Sequence, residues 1–372
     1  MKRTLLLLLC CSTLALAARE IIKIGVVLPL SGNQAASGED VRDALRMAED
    51  RVRVSSTRYD YKLVFEDGQN QPRLSVEAFR KLSDIDHVDA VLSVYGAPGS
   101  AISPMAAHKG ILHIGCGFSD VIAAGPLNFN NLTKPAPSAA LLLRYLQAAG
   151  YRRIACISQQ NASTNALEDA LLKIIPGSTM EIVNLQKFNP GERDFRVQIL
   201  RAREANPDLI LIHGYDPECS IILKQMKDIS LEVPISAMGH WGTLKDTTPF
   251  RGIPYVDPKP TEAFTKAFAN RYGHAPFLLS AMVSDSFTML AKACETYTGD
   301  GKPSSEFIAK QLLKTKNYPG NIGSLTCDAD GWFDSPASVV IFTTEGRRTV
   351  SMDEAVRLAH QRWGVPTKTT EK

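Results

Sequence analysis

Residues able to do chemistry are scattered through this 372-residue chain, and their spacing argues against catalysis. No G-x-S-x-G occurs, so the strained turn that exposes a serine nucleophile is missing. H-E-x-x-H is absent too, and His108 and His113 fall on a helix end and a strand, a poor geometry for sharing a metal. Beyond Cys10 and Cys11 lie Cys116, Cys156, Cys219, Cys294 and Cys327, with no C-x-x-C among them, which removes zinc and thioredoxin-like chemistry. An odd number leaves at least one thiol free. Cys294 and Cys327 flank one surface-like segment and either pair or stay as buried thiols. The neighbours Glu39 and Asp40 lie at a helix start, where the helix dipole accounts for them.

Binding chemistry is better served. "LPLSGNQAASG" (28–38) runs from a strand-like stretch through a glycine loop into a helix, an arrangement that presents free N–H groups to an anion. A nucleotide does not suit it. Five residues separate Gly32 from Gly38, Glu39 and Asp40 stand where Lys and Ser/Thr would be needed, and G-x-G-x-x-G is absent. Other loops follow strands in the same way, at the ends where open α/β sheets hold ligands. "YGAPGSAIS" offers the amides of Gly96 and Ala97. "GCGFSD" offers Gly115 and Gly117 for close backbone approach, Phe118 as a flat apolar face and the Ser119 hydroxyl. "HGYDPECS" places Tyr215 and Asp216 after a strand, and "MGHWGTL" places His240 and Trp241. Singly, Phe118 or Trp241 reads as core packing; four converging loops read as a cleft.

The elements that position these loops alternate along the chain. Strand-like runs cover 21–28, 61–66, 89–94, 111–115, 154–158, 180–185, 208–213, 234–238 and 338–343. Between them, Val41, Ala44, Leu45, Ala48 and Val52 share one helical face, as do Leu74, Ala78 and Leu82, and then Leu142, Tyr145, Leu146 and Ala149. Near-continuous apolar strands alternating with amphipathic helices predict parallel sheets covered on both faces. The pattern starts over, since "IKIGVVLPLSGNQAASGEDVRDAL" and "RRIACISQQNASTNALEDALL" each give strand, polar loop and helix. Two similar α/β domains follow, with seams at 131–138, 251–262 and 318–325.

The opening "MKRTLLLLLCCSTLALAARE" has a basic start, a short apolar core and an Ala15-Leu16-Ala17 cleavage signature, so residues 1–17 read as a secretory signal. Leu9 precedes Cys10 and Cys10 precedes Cys11, where a lipoprotein signal wants a small residue. Without Lys2 and Arg3, 40 basic residues face 39 acidic ones, scattered without a stripe, which leaves nucleic acid and membrane-surface binding without electrostatic support. A mature chain of roughly 355 residues calls for two domains.

"IKIGVVLPLSGNQAASGEDVRDALRMAED", "YKLVFEDGQNQPRLSVEAFRKL", "VDAVLSVYGAPGSAISPMAAHKGILHIGCG", "ANPDLILIHGYDPECSIILKQMKD" and "GSLTCDADGWF" together resemble the type I periplasmic binding proteins, in the Leu/Ile/Val-binding branch. The resemblance covers essentially the whole mature chain in order. It implies an α/β fold of two Rossmann-like lobes joined by three crossover hinge segments, residues 18–135 with 254–320 and 136–253 with 321–372. It also implies a periplasmic solute-binding protein delivering a small carboxylate or amino-acid-like solute to an ABC transporter permease, with no cofactor and no catalysis. A periplasmic sensory receptor and an exported α/β enzyme are the alternatives. In such proteins the loops matching Gly96–Ala97 and Phe118–Ser119 hold the ligand carboxylate, and Tyr215 matches a cleft aromatic.

Departures from the family pattern narrow the ligand. Ser37 stands where a cleft Tyr is usual, and Gln160–Asn161 where a second Tyr is common. His240–Trp241 occupies the stretch that normally supplies a Glu to the ligand ammonium, and an ammonium buried without an anion is costly. Asp120 or Asp216 is the candidate substitute. Gly32 and Gly38 are expected to make the first turn, with Ser37 near the ligand. Ordinary branched-chain amino acids are expected to bind poorly.

The five cysteines beyond the expected signal and the seven histidines, lacking ligand spacing, predict no essential metal. EDTA should leave the melting temperature unchanged; a drop on chelation would count against this expectation.

Overall fold

The computed structural model describes residues 19–366 apart from 245, so the expected secretory signal lies outside the described residues. The first lobe opens with β1 (Glu20–Leu28), α1 (Ala35–Ser55), β2 (Tyr59–Asp67), α2 (Pro72–Asp84), β3 (Ala90–Val94), α3 (Gly96–Lys109), β4 (Leu112–Cys116) and β5 (Asn128–Asn130). The second follows with α4 (Pro135–Ala148), β6 (Arg153–Gln159), α5 (Ala162–Ile174), β7 (Glu181–Phe188), α6 (Arg196–Glu204), β8 (Leu209–His213), α7 (Glu218–Asp228), β9 (Ile235–Ser236) and β10 (Tyr255–Asp257). The chain then returns through α8 (Glu262–Tyr272), α9 (Leu278–Glu295), α10 (Ser305–Leu312), β11 (Tyr318–Gly320), β12 (Gly323–Cys327) and β13 (Phe333–Asp334). It ends with β14 (Ser338–Thr343), β15 (Gly346–Thr349) and α11 (Met352–Trp363).

Each lobe is a parallel sheet between helices. The first has the order β2-β1-β3-β4-β5 and the second β7-β6-β8-β9. Strands such as β3 and β8 are buried at every position, which is why they read as unbroken apolar runs. Helix starts are set locally. Pro72 and Pro135 occupy first-turn positions, where a missing N–H costs nothing, and Asn161 caps α5 by accepting from the Thr164 N–H at 2.8 Å. Among the described residues no helix is long and apolar enough to cross a membrane.

Two of the expected lobe boundaries shift. Strand β10 pairs antiparallel with β14, and Val256 packs in the second-lobe core, so residues 254–257 sit with the second lobe. Ile322, Leu325, Cys327, Trp332 and Phe333 pack in the first-lobe core, so 321–334 sit with the first. The crossings therefore fall at 131–134, 258–261 and 335–337. The apolar side chains decide the matter, because glycines and prolines mark turns within a lobe as readily as passages between lobes. A hydroxyl pair ties two crossings together, Thr133 Oγ1 to Ser335 Oγ at 2.7 Å.

All five cysteines of the described chain are buried and free, Cys294 and Cys327 included. Desolvation pushes every one of these thiols up, Cys294 and Cys327 to about 12.

The two glycines of the first loop do different work. Gly32 has φ +79° with open space around it, a true left-handed turn residue. Gly38 lies inside α1, where a Cβ would sit 1.9 Å from the Pro29 carbonyl oxygen. It is there for close packing, not for the turn. Gly38→Ala is thus expected to lower the unfolding free energy by about 1–3 kcal/mol, as overpacking does. Urea denaturation checks this, and a change below that of Gly32→Ala would contradict it.

Candidate functional site

The first-lobe wall is built where β3 and β4 end side by side. Tyr95, at φ 73°, turns the chain from β3 into α3, and its N–H donates to the Cys116 carbonyl at 2.8 Å. Its hydroxyl lies 2.8 Å from Ser37 Oγ. Gly117 packs so tightly on this turn that a Cβ would fall 2.4 Å from the Gly96 nitrogen. Asn130, at the end of β5, clamps Gly117 from both sides. It accepts the Gly117 N–H at 3.2 Å and donates to its carbonyl at 2.7 Å. The next residue, Phe118, is held between lobes and packs against both cores. Beyond it, Ser119 Oγ accepts from Ser100 Oγ at 2.7 Å.

The second-lobe wall faces it. Gly239 and His240 both take left-handed backbone, at φ 68° and 63°, which thrusts the His240 ring between Tyr215 (centroids 4.6 Å apart) and Phe118 (5.8 Å). Ser163, in the first turn of α5, hydrogen-bonds His240 Nε2 at 3.0 Å and also the Tyr215 hydroxyl. Burial pulls the His240 imidazole down to about 3, so it is neutral at physiological pH, and its Nδ1 has no partner among the described residues.

The last residue of β10 brings in a charge. Asp257 is 1% exposed. Its Oδ2 accepts from Arg347 Nη2 at 2.9 Å and from the Gly242 N–H at 3.1 Å. Burial pushes the carboxyl up to about 6, against the pull of the Arg347 guanidinium. Arg347 also donates to the Tyr255 hydroxyl at 3.0 Å and the Pro258 carbonyl at 2.7 Å.

Between these walls lies an inner cavity of about 30 Å³, lined by Tyr95, Gly96, Phe118, Tyr215, His240 and Asp257, with Leu132, Leu278 and Leu279 as apolar padding. Outside it a groove of about 1150 Å³ runs along α5 and carries Ser119, Asp120, Asn165, Asp169, Lys173 and Trp332. Phe118 borders both spaces.

Of the residues singled out in the sequence, the structure gathers Gly96, Phe118, Tyr215 and His240 at the inner cavity, and Ser119 and Asp120 at the groove. Ser37 is buried behind Tyr95, spending its hydroxyl on that residue and on the Gln34 carbonyl. Ala97 is exposed at the start of α3. Gln160 is exposed and gives its N–H to the Phe188 carbonyl, while Asp216 bonds Ser220 Oγ at 2.7 Å; neither borders either space. Trp241 is withdrawn from the cleft altogether. Its indole is fully buried, edge-on to Phe250 and tilted against Tyr255, with Nε1 donating to the Ile212 carbonyl at 3.1 Å.

Sequence reasoning missed Tyr95, Ser163, Leu278, Leu279 and Asp257. Tyr95 stands directly before Gly96 and was within reach of the loop argument. Asp257 sits in "YVDPKP" (255–260), where the prolines drew attention to a hinge and away from the carboxylate beside them. Among the described residues no group of His, Cys, Asp and Glu side chains is placed to hold a metal ion.

Residues 21–341 match the family described as periplasmic binding protein. The chain is 23% identical over 351 residues to Leu/Ile/Val-binding protein homolog 3 of Brucella melitensis biotype 1, covering 90% of this chain and 94% of that one. It is 25% identical over 233 residues to Leu/Ile/Val-binding protein BraC3 of Rhizobium johnstonii, covering 59% of this chain and spanning only 61% of that relative's length. A solved solute-binding protein of an ABC transporter from R. palustris, in complex with benzoate, superposes with a TM-score of 0.78 at 17% identity, covering 89% and 96% of the two chains. That likeness shows the fold: two α/β lobes with parallel sheets, as expected.

Trp241→Ala should behave as a core deletion and cost about 3–5 kcal/mol of stability in urea unfolding. A variant of unchanged stability would return the indole to the solute.

Proposed function

We propose that this chain, which belongs to the periplasmic binding protein family, is the extracytoplasmic solute-binding component of an ABC importer. It takes a small carboxylate or amino-acid-like solute between its lobes and presents it to a membrane permease. The convergence of loops from both lobes on one cavity carries the reading, because Phe118 and Gly96 come from one side and Tyr215 and His240 from the other. A solute touching both sides favours the closed arrangement and shifts the population toward it. Three crossings free of regular structure are the segments able to absorb that rotation. The leader-like opening and the family support a periplasmic location. No catalytic step is assigned: His240 is neutral and its Nε2 faces Ser163, and no carboxylate reaches Nδ1 among the described residues.

The solute's carboxylate belongs at the first-lobe wall, where the first turn of α3 leaves backbone amides without intrahelical partners. Phe118, Tyr215 and the His240 ring favour a flat body beside it. Calorimetric titration with leucine, isoleucine, valine, phenylalanine and small aromatic acids such as benzoate tests this. One of them is expected to bind with a Kd of about 1 μM or below, with aromatic members ahead of aliphatic ones. Small-angle scattering should show a smaller radius with that solute bound. Sub-micromolar leucine binding would overturn the ranking, and silence across the panel, or turnover of any member, would overturn the reading.

A further inference from the structure

The second lobe buries two imidazoles, and the proposed function uses only His240. The other, His213, is the last residue of β8, fully buried, with neither ring nitrogen partnered among the described residues. It stands opposite Ser158 of β6, and Ser158 stands opposite Lys187 of β7, so the three side chains form a row on one face of the sheet. Helix α5 covers that face, packing Leu167 and Leu171 on Cys156 and Leu211. From the same helix Glu168, 3% exposed, reaches into the row and pairs with the Lys187 ammonium. Cys156 of β6 and, on the cleft side, Tyr215 and His240 complete the titratable groups of this face. Cys219 packs in the core on the other face, with Asp216 and Glu218 beside it.

The charges of this cluster balance only while both rings are neutral, with Lys187 against Glu168. Two added protons would set three cations around one carboxylate, and the lysine already holds that carboxylate. The Ser158 and Thr164 hydroxyls offer the rings no fixed anion. A buried charge without an anion is costly, and the two rings would repel each other as well. Among the described residues the first lobe buries one imidazole, His113, with Nε2 2.7 Å from Ser93 Oγ. We infer that the second lobe carries an acid-operated latch: as His213 and His240 take up protons, α5 comes away from β6 and β8 and the wall formed by Ser163, Tyr215 and His240 loosens, while the first lobe holds. This goes beyond the solute-binding reading and does not depend on it.

Burial supports the direction, pulling His213 down to about 4 and His240 to about 3. Folded-state values below the ordinary 6.5 leave stability fully present above that pH and remove it as the pH falls toward them. Near pH 5 each ring kept neutral weakens the folding equilibrium roughly thirtyfold. The second lobe meets that factor twice and the first lobe once.

Hydrogen exchange read by mass spectrometry, on the protein without solute near pH 7.5 and about pH 5, tests the latch. After correction for intrinsic exchange, the opening constants of peptides from α5, β6 and β8 should rise at least tenfold more on acidification than those from α1, β1 and β3. His213→Leu removes one of the two proton sites and should cut the second-lobe rise at least tenfold. Circular dichroism shows whether that variant is folded, and the wild-type comparison between lobes decides alone if it is not. An equal rise in both lobes, a larger one in the first, or a second-lobe rise unchanged in folded His213→Leu would overturn the inference. With no solute present, each of these outcomes leaves the reading of the cleft where it stands.

Discussion

How closely Gly117 lies against Gly96 governs the rest of the cleft. A side chain on Gly117 would collide with the backbone of the α3 start, so the loops after β3 and β4 are locked into one surface. The Asn130 clamp on both polar groups of Gly117 removes the remaining freedom. With that residue fixed, Phe118 has one direction to go, and it goes between the lobes. The position of the ring is therefore a consequence of backbone packing in the first lobe, although its contacts reach the cores of both.

The second lobe answers with strain and with buried polarity. Consecutive left-handed residues at Gly239 and His240 are unusual, and a non-glycine there costs free energy that the surroundings must offset. The return is an imidazole packed against Tyr215 and Phe118 and hydrogen-bonded to Ser163. A Cβ at Gly239 would approach Leu167 to 2.9 Å, so this turn leaves little slack. Beneath it the Asp257–Arg347 pair joins the end of β10 to the final hairpin of β14 and β15, with the charges partnered in a region where an unpaired one would be expensive.

Much of this was legible in the sequence, for identifiable reasons. Strands buried on both faces leave unbroken apolar runs, so β1, β3, β6, β8 and β14 stand out, and the helical faces of α1 and α2 follow from spacing alone. Strands of two or three residues, such as β5, β10 and β13, carry too few positions to show a period. The loops of the cleft were visible through glycine and aromatic residues at strand ends. The fate of each aromatic was not. Trp241 and His240 are neighbours in sequence, yet one enters a core and the other a cavity, because the left-handed turn at His240 separates their directions. Asp257 was invisible for a related reason: its meaning depends on Arg347, 90 residues away, which no local pattern connects to it.

The five thiols have a consequence of their own. Each lies buried in one of the cores, with its proton held on by desolvation. Thiolate is the reactive species, so these five described thiols are silent toward disulfide-forming machinery while they remain covered. Silence ends when a core opens. Cys116, Cys294 and Cys327 belong to the first-lobe core and Cys156 and Cys219 to the second, so the state of these five thiols amounts to a record, kept lobe by lobe, of whether a core has ever come apart.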